Sequence, residues 1–175
     1  MRRGLLGRPV LLQEALPLQR LLQFEPERGS RDSSHLQQDP ERLPTGVAAA
    51  VSAGNGRAAI GTRAEDLAAA LLEAHGYSII ERNWRRPEGE LDLVADHRGI
   101  LVFVEVRSRT GEERGHPLET VNARKRARVV RAARLYLEAA QPAATAFRFD
   151  VVGVTFPPAG GQPAITHVED AFRVA

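Results

Sequence analysis

The hydrophobic pattern of the chain changes character near residue 56. Before this point, a leucine-rich stretch is interrupted by Arg, Pro, Gln and Glu, and the stretch after it mixes charged residues with Ser, Pro and Gly. The second composition is typical of a disordered linker, because too little apolar surface is available to offset the ordering of the chain. We predict a tail and linker over residues 1–56, disordered or weakly helical, and a folded domain over residues 57–175.

Periodic patterns in the second segment predict two helices and five strands. TRAEDLAAALLEAHG, from Thr62, carries apolar residues at helical spacing and ends at Gly76, a typical helix-terminating residue. YSIIERNW, ELDLVAD and ILVFVEVRS read as strands, with a glycine-containing turn between the last two. A second helix over residues 118–139, the strand AFRFDVVGVTF and a short closing strand starting with AITHV complete the order. This order predicts an α/β fold in which helices flank a mixed central sheet.

The strand ILVFVEVRS is apolar on both faces until Glu105. Because side chains alternate along a strand, Phe103, Glu105 and Arg107 share one face. An alternation that is apolar on both faces predicts a strand buried on both sides. Hairpin pairing with the preceding strand would bring Asp92 close to Glu105, and two close carboxylates either raise one pKa or require a cation.

Two interpretations of this acidic pair follow from the residues. The carboxylates of Asp92 and Glu105, with the backbone carbonyl of Val106, suit a hard ion such as Mg²⁺, and a metal beside Arg107 would favour a phosphate. Alternatively, the acids form an ordinary ion-pair network with Arg107 and Arg109. Spacing alone leaves both interpretations open.

Motifs in this region resemble two related protein groups. An acid, a gap and then E-x-K at the end of a hydrophobic strand is the motif of the PD-(D/E)XK nucleases, the restriction-endonuclease-like superfamily. More closely, GELDLVAD, VFVEVRSR, RNWR, RFDVV and ITHVEDAF resemble the YraN-like family of uncharacterised bacterial proteins, over residues 61–172. The resemblance implies a restriction-endonuclease-like fold, metal ligands at Asp92 and Glu105, and a supporting acid at Glu65. It also implies Mg²⁺ or Mn²⁺ as cofactor and nucleic acid as the substrate or ligand class, and of the two nucleic acids we expect DNA rather than RNA.

The chain departs from the nuclease motif at its lysine, which is Arg107 here, and from the family at Ala64, where a glycine is usual. An arginine stabilises charge but cannot exchange a proton near neutral pH. Lys125, the single lysine of the chain, lies at the centre of the apolar arc of the second predicted helix. We predict that Lys125 reaches the carboxylates and supplies the missing ammonium. The alternative is a lysine that extends along an apolar face to its rim.

Other polar residues carry a structural alternative beside the functional one. Glu65 fits a capping box that starts at Thr62 as well as a metal site. Trp84 could stack on a base or pack in the core, Arg148 and Asp150 fit an ion pair, and His116 and His167 are predicted to be structural. A stripe of arginines could bind a phosphate backbone or simply be solvated; the predicted nucleic-acid contacts are Arg85, Arg86, Arg109, Arg124 and Arg128.

Composition narrows the functional classes. The 175 residues contain no cysteine, which excludes disulfides, thiolate metal sites and cysteine nucleophiles and fits a reducing cytoplasm. Arginine supplies 23 of the 24 basic residues, and the net charge is +2. We predict a nucleic-acid partner and no membrane, with a homodimer left open. The two functions in view are a metal-dependent endonuclease and a catalytically silent nucleic-acid-binding module. Because Arg107 replaces the lysine of the nuclease motif, whether the protein is an enzyme is left open.

Overall fold

The computed structural model describes residues 16–17, 20–21, 56–111 and 121–174. The described part contains six strands and two helices that follow one another along the chain. In chain order they are β1 (Leu16–Pro17), α1 (Arg57–Ala74), β2 (Ser78–Arg86), β3 (Gly89–His97), β4 (Ile100–Thr110), α2 (Ala123–Ala140), β5 (Ala146–Phe156) and β6 (Ala164–Val168).

The strands form one mixed sheet with β5, β4, β3 and β2 side by side. β4 and β5 run parallel, because α2 carries the chain back between them, whereas β2, β3 and β4 form an antiparallel meander. β1 and β6 pair with successive parts of the outer edge of β5. The predicted α/β fold, with a helix, three strands, a helix and two strands in that order, is confirmed.

The sheet lies between the two helices and has a separate apolar core on each face. α1 packs on the core that contains Val102, Val104 and Val152. α2 packs on the other core, which contains Phe103 and Phe149. Alternate residues of β4 therefore enter opposite cores, which confirms that this strand is buried on both sides.

Helix α1 begins earlier than the sequence pattern predicts. Its first residue is Arg57, and the N-cap is Gly56, which makes no side-chain capping bond. Thr62 lies inside the helix, where its hydroxyl donates to the carbonyl of Ala58 at 3.2 Å. The capping-box interpretation of Glu65 is therefore wrong. The predicted end is confirmed, since Gly76 follows the helix with a φ of 84°.

Helix α2 begins at Ala123, and the Asn122 side chain caps its first turn by accepting a hydrogen bond from the Lys125 N–H at 2.9 Å. Val121 is buried just before this cap. The tight turn between β3 and β4 consists of Arg98 and Gly99, both at positive φ, as in a type I′ hairpin. Neither described helix is long and apolar enough to cross a membrane.

Helix α2 approaches the start of β3 closely at Gly89. A Cβ on Gly89 would lie 3.0 Å from the Cβ of Ala132 and 3.2 Å from the carbonyl oxygen of Arg128. A side chain here would therefore push the helix away from the sheet, and with it Lys125 in the first turn.

We expect Gly89→Ala to lower the free energy of unfolding by about 1–3 kcal/mol, the usual range for overpacking. Gly61→Ala is the matched control, because Gly61 lies within α1 with no neighbouring atom within 4 Å of an added Cβ. That change should stabilise the protein by roughly 0.5–1 kcal/mol. Urea denaturation of both variants gives the comparison, and equal effects of the same sign would contradict the close approach.

The N-terminal prediction falls almost entirely outside the described residues. Within them, Leu16–Pro17 pairs with Phe147 and Ala146 of β5, and Leu21 is fully buried in the core beneath α2. The tail and linker over residues 1–56 otherwise stay a prediction. His116 and the start of the predicted second helix also lie outside the described residues.

Candidate functional site

Three neighbouring strands bring polar residues into one row across the sheet. The pairing of Leu93 with Val104 continues by one step to place Asp92 across from Glu105. On the other side of β3, Asn83 lies between the two residues that pair with Leu93 and Leu91, and so faces Asp92. The predicted closeness of the two acids therefore follows from register, and Asn83 extends the row.

Glu105 is the most deeply buried acid of this row, with 4% of its surface exposed. Lys125 Nζ forms an ion pair with its Oε1 atom, and Arg107 Nη1 lies 3.5 Å from the same oxygen. No donor among the described residues makes a well-aligned hydrogen bond to this buried oxygen. Glu105 Oε1 is thus surrounded by positive charge but retains unused acceptor capacity, which is unusual for a buried carboxylate.

Asp92 is held by the backbone of the neighbouring strand. Its Oδ2 atom accepts a hydrogen bond from the Val106 N–H at 2.8 Å. Burial and, after it, the Glu105 charge raise the pKa of Asp92 from 3.8 to about 7, against the opposing effects of the Val106 N–H and Lys125. In the absence of a further cation, the ionised and protonated forms of Asp92 are therefore both populated near neutral pH.

The regular alternation of β3 breaks at Asp92. Leu91 packs in the core beneath α2, whereas Leu93 and Ala95 pack in the core beneath α1 and Val94 returns to the α2 side. Strict alternation along β3 would put Leu91, Leu93 and Ala95 on one face of the sheet, and the structure does not have this arrangement. Such irregularities re-aim a side chain near a site, and here the re-aimed side chain is that of Asp92.

Glu65 comes to this site from α1. Its Oε2 atom accepts a hydrogen bond from the Asn83 side-chain amide at 2.9 Å, and its charge contributes to the raised pKa of Asp92. The sequence predicted Glu65, and the structure brings it into electrostatic range of the acidic pair. Asn83 was missed, although RNWR was noted; an asparagine within a strand pattern is a signal, because asparagine tolerates positive φ.

The donor set fits a hard divalent cation. Glu105 carries an oxygen without a hydrogen bond, and Asp92 is destabilised as an anion by its surroundings. Because the N–H and C=O of one residue leave a strand on the same side, the Val106 carbonyl also faces Asp92. The described residues contain no cluster of three or more His, Cys, Asp or Glu side chains placed to hold a metal ion. Mg²⁺ is often held by one or two carboxylates with waters and substrate phosphates.

The predicted phosphate-binding arginines occupy two regions. Arg107 and Arg109 follow Glu105 along one face of β4, and Arg109 Nε donates to the Thr155 hydroxyl at 2.8 Å. Arg124 and Arg128 are exposed on α2. At the end of β2, Arg85 lies 3.8 Å from Glu90, and the Arg86 guanidinium lies 4.9 Å from the centre of the Trp84 ring.

Trp84 is a core residue. Only 6% of its surface is exposed, and its ring meets that of Tyr136 edge-on at 5.7 Å between centroids. The packing interpretation is therefore correct, and base stacking by Trp84 is not compatible with this burial.

A second polar cluster lies beneath α1, in the core on the opposite face of β5. Asp150 is fully buried and bonds Arg148 Nε at 2.9 Å, His167 Nε2 at 3.0 Å and the Asp170 N–H at 3.0 Å. Tyr77 connects Arg148 to Glu169 at its rim. The polar groups at the centre of this cluster hydrogen-bond one another, so the cluster attaches the segment from His167 to Asp170 to β5. The predicted ion pair of Arg148 with Asp150 and the structural prediction for His167 agree with this geometry.

Comparison with known proteins places the chain among similar bacterial sequences. Residues 64–154 match the group described as "Uncharacterised protein family UPF0102". A UPF0102 protein of Clavibacter michiganensis subsp. michiganensis is 46% identical over 112 residues, covering 64% of this chain and 94% of the relative. One from Anaeromyxobacter dehalogenans is 47% identical, covering 68% and 87%, and one from Syntrophotalea carbinolica is 41% identical, covering 67% and 94%. The matched range contains Glu65, Asn83, Asp92, Glu105 and Lys125.

Proposed function

Because the chain belongs to the uncharacterised protein family UPF0102, whose name carries no activity, we propose a function from the geometry of its site: a Mg²⁺-dependent phosphodiesterase that cleaves DNA. The observation that carries the proposal is the ion pair between Lys125 and Glu105. The ammonium of Lys125 lies at the acidic pair. In the nuclease motif a lysine would stand at the sequence position that Arg107 occupies in this chain.

The two carboxylates are assigned to the cation. Asp92 and Glu105 face each other at the polar end of a doubly buried strand, an arrangement that disfavours two negative charges without a counterion. When bound, Mg²⁺ neutralises charge on the scissile phosphate and promotes ionisation of a water molecule. Asp92 and Glu105, with the Val106 carbonyl, would hold it, and Glu65 would support it from α1.

Lys125 and Arg107 together supply the charge stabilisation and proton exchange that we assign to a single lysine in the motif. Both contact the same oxygen of Glu105 from different elements, α2 and β4, and about a third of each side chain is exposed. The guanidinium of Arg107 keeps its charge and can hold a phosphate oxygen through two N–H groups. The ammonium of Lys125 is a compact donor that can also exchange a proton, so it restores the chemistry that arginine lacks.

Positive charge beyond the carboxylates fits a polyanionic substrate. Arg107 and Arg109 extend along β4 from Glu105, and Arg124 and Arg128 project from the helix that carries Lys125. Phosphate contacts of this kind position nucleic acid without reading its sequence. The resemblance implies nucleic acid as the substrate or ligand class, and the substrate that we propose is DNA.

A second candidate function rests on Arg107 alone. If the arginine in the motif position marks a loss of chemistry, the same surface binds nucleic acid without cleaving it. Binding would then be salt-sensitive, since it depends on phosphate contacts.

The two functions are separated by incubating the protein with labelled single-stranded, duplex and branched DNA in Mg²⁺, in Mn²⁺ and in chelator. The proposed enzyme cleaves at least one of these substrates with either metal, and chelator stops the reaction. Cleavage should be absent from Asp92→Asn purified in the same way, which excludes a contaminating nuclease.

Salt-sensitive binding without cleavage in either metal would favour the silent binding module. A protein that neither binds nor cleaves any of the three DNA forms would overturn both candidates.

A further inference from the structure

We propose that the outer edge of β5, where it borders the core beneath α2, is a groove for an extended apolar peptide, and that this chain fills the groove with its own N-terminal segment. The N-terminal segment is defined by its described residues, 16–17 and 20–21. It docks as a tethered ligand of the folded domain and not as an integral part of it. This inference involves neither Asp92 nor Glu105 and is independent of the proposed function.

The outer edge of β5 is covered in three successive steps. β6 pairs with its second half, and the Ala171 N–H donates to the carbonyl of Phe149 at 2.8 Å. The N-terminal segment covers the remaining end, where residues 16–17 pair antiparallel with Phe147 and Ala146. An uncovered strand edge presents unpaired N–H and C=O groups to other chains. Without the N-terminal segment, β5 would therefore have an open edge at its first two residues.

The core beneath α2 receives the other end of the segment. Leu21 is fully buried, and it belongs to the same apolar cluster as Phe147, Phe149 and Phe172. The Phe149 ring meets the Phe147 ring edge-on at 5.6 Å between centroids and stacks on the Phe172 ring at 4.8 Å. When a peptide adds to a sheet edge, main-chain hydrogen bonds supply affinity and buried side chains supply specificity. The edge of β5 and the site of Leu21 provide one of each.

The N-terminal segment contributes little to the domain compared with the helices and the other strands. Among the described residues, it adds two paired positions to the sheet and one side chain, that of Leu21, to the core. The neighbouring Arg20 and Pro17 are exposed. The segment also precedes residues 64–154, the range that the chain shares with its family. We therefore infer that the domain folds around its own two cores and that the segment binds to it afterwards.

The connection to the domain keeps the groove occupied even when binding is weak. Residues 22–55 separate the segment from the N-cap of α1, and their composition predicts a linker. A linker of this kind holds a ligand at an effective concentration on the order of 1 mM. A segment that binds with a Kd of roughly 10–100 µM would then be docked in most molecules.

The test is the binding of a fluorescently labelled peptide, with the sequence of residues 12–24, to full-length protein, followed by fluorescence anisotropy. Leu21→Asp should bind the peptide with a Kd of roughly 10–100 µM, because a carboxylate is costly to bury and the tethered segment leaves the groove. The unmodified protein should bind it at least about 10-fold more weakly, since its groove is already filled. Arg20→Asp is the matched control: it introduces the same side chain at an adjacent exposed position and should behave like the unmodified protein.

A cut in the linker gives the same test without a substitution in the core. A recognition sequence for a site-specific protease replaces residues 36–42, and the purified full-length protein is then cut. Cutting should raise the affinity for the labelled peptide at least about 10-fold, because the competing segment is no longer held at a high effective concentration. The uncut protein is the control, and the melting transition of the cut protein should remain cooperative.

Three results would overturn the inference. Cutting the linker could leave peptide binding unchanged, which would mean that the groove does not take a separate peptide. The cut protein could lose its cooperative melting transition, which would make the N-terminal segment an integral part of the domain. Light scattering could reveal a dimer of the unmodified protein that dissociates on Leu21→Asp, which would place each segment on a second copy of the chain.

Discussion

Replacing Lys125 with methionine is expected to lower Mg²⁺-dependent DNA cleavage by about 10²–10³-fold, the usual effect of removing one well-placed donor from a reacting centre. The side chain of methionine fills similar space on the apolar arc but leaves Glu105 Oε1 with Arg107 as its remaining described cation. Initial rates on the best substrate, measured at saturating Mg²⁺, give the size of the effect.

Two variants show whether the lost rate belongs to the ammonium at this position. Lys125→Arg restores the charge without the compact donor and should recover only part of the activity. Arg131→Met removes a positive charge from an exposed position on the same helix and should leave the rate within about two-fold of the original. Unchanged cleavage in Lys125→Met, with an unchanged melting temperature, would show that Lys125 merely extends to the rim of its helix.

Asp92→Asn is expected to remove cleavage, by at least about 10³-fold, because it takes one carboxylate from the proposed cation site. The same change should stabilise the metal-free protein above pH 7. Asparagine can still accept the hydrogen bond of the Val106 N–H, but it no longer adds a buried negative charge beside Glu105. We expect a gain of roughly 1–3 kcal/mol at pH 8 in chelator.

The pH dependence of the metal-free protein tests the same site independently of activity. The pKa of Asp92 rises from 3.8 to about 7 on folding, so the folded protein binds more protons than the unfolded chain between these values. Stability from this group is therefore greatest below about pH 4 and declines as the pH rises to about 7, by an amount on the order of 2–4 kcal/mol. Urea denaturation of the original protein and Asp92→Asn should show a difference that grows across this window. Parallel pH profiles would contradict the raised pKa.

Most of the fold follows from hydrophobic periodicity. Both faces of β4 are apolar, so its central place between two cores was predictable from Leu101 to Val104 alone. The helix starts were not predictable in the same way. Arg57 and Ala123 begin helices without a strong apolar pattern in their first turns, and the Thr62 signal suggested a cap that the structure does not use.

The closeness of the two acids and the location of Lys125 also followed from pattern, because the pairing of β3 with β4 has no register shift up to Leu93 and Val104 and helical periodicity turns Lys125 toward the sheet. The rest of the site depends on local departures from regularity. The break in β3 at Asp92 and the left-handed Asn83 result from tertiary pairing, which periodicity does not describe. Strict alternation would therefore place Leu91 on the wrong face of the sheet. It also gives no reason to expect a left-handed backbone at Asn83.

The irregular course of β2 has a consequence for association between molecules. β2 lies at the end of the described sheet and exposes Ile80, the one large apolar side chain with more than half of its surface in solvent among the described residues. An incoming strand needs an unbroken row of N–H and C=O groups. The register shift between Ile79 and Glu81 and the left-handed turn at Asn83 interrupt that row twice. The geometry that shapes the acidic row thus also makes this edge a poor template for intermolecular sheet growth.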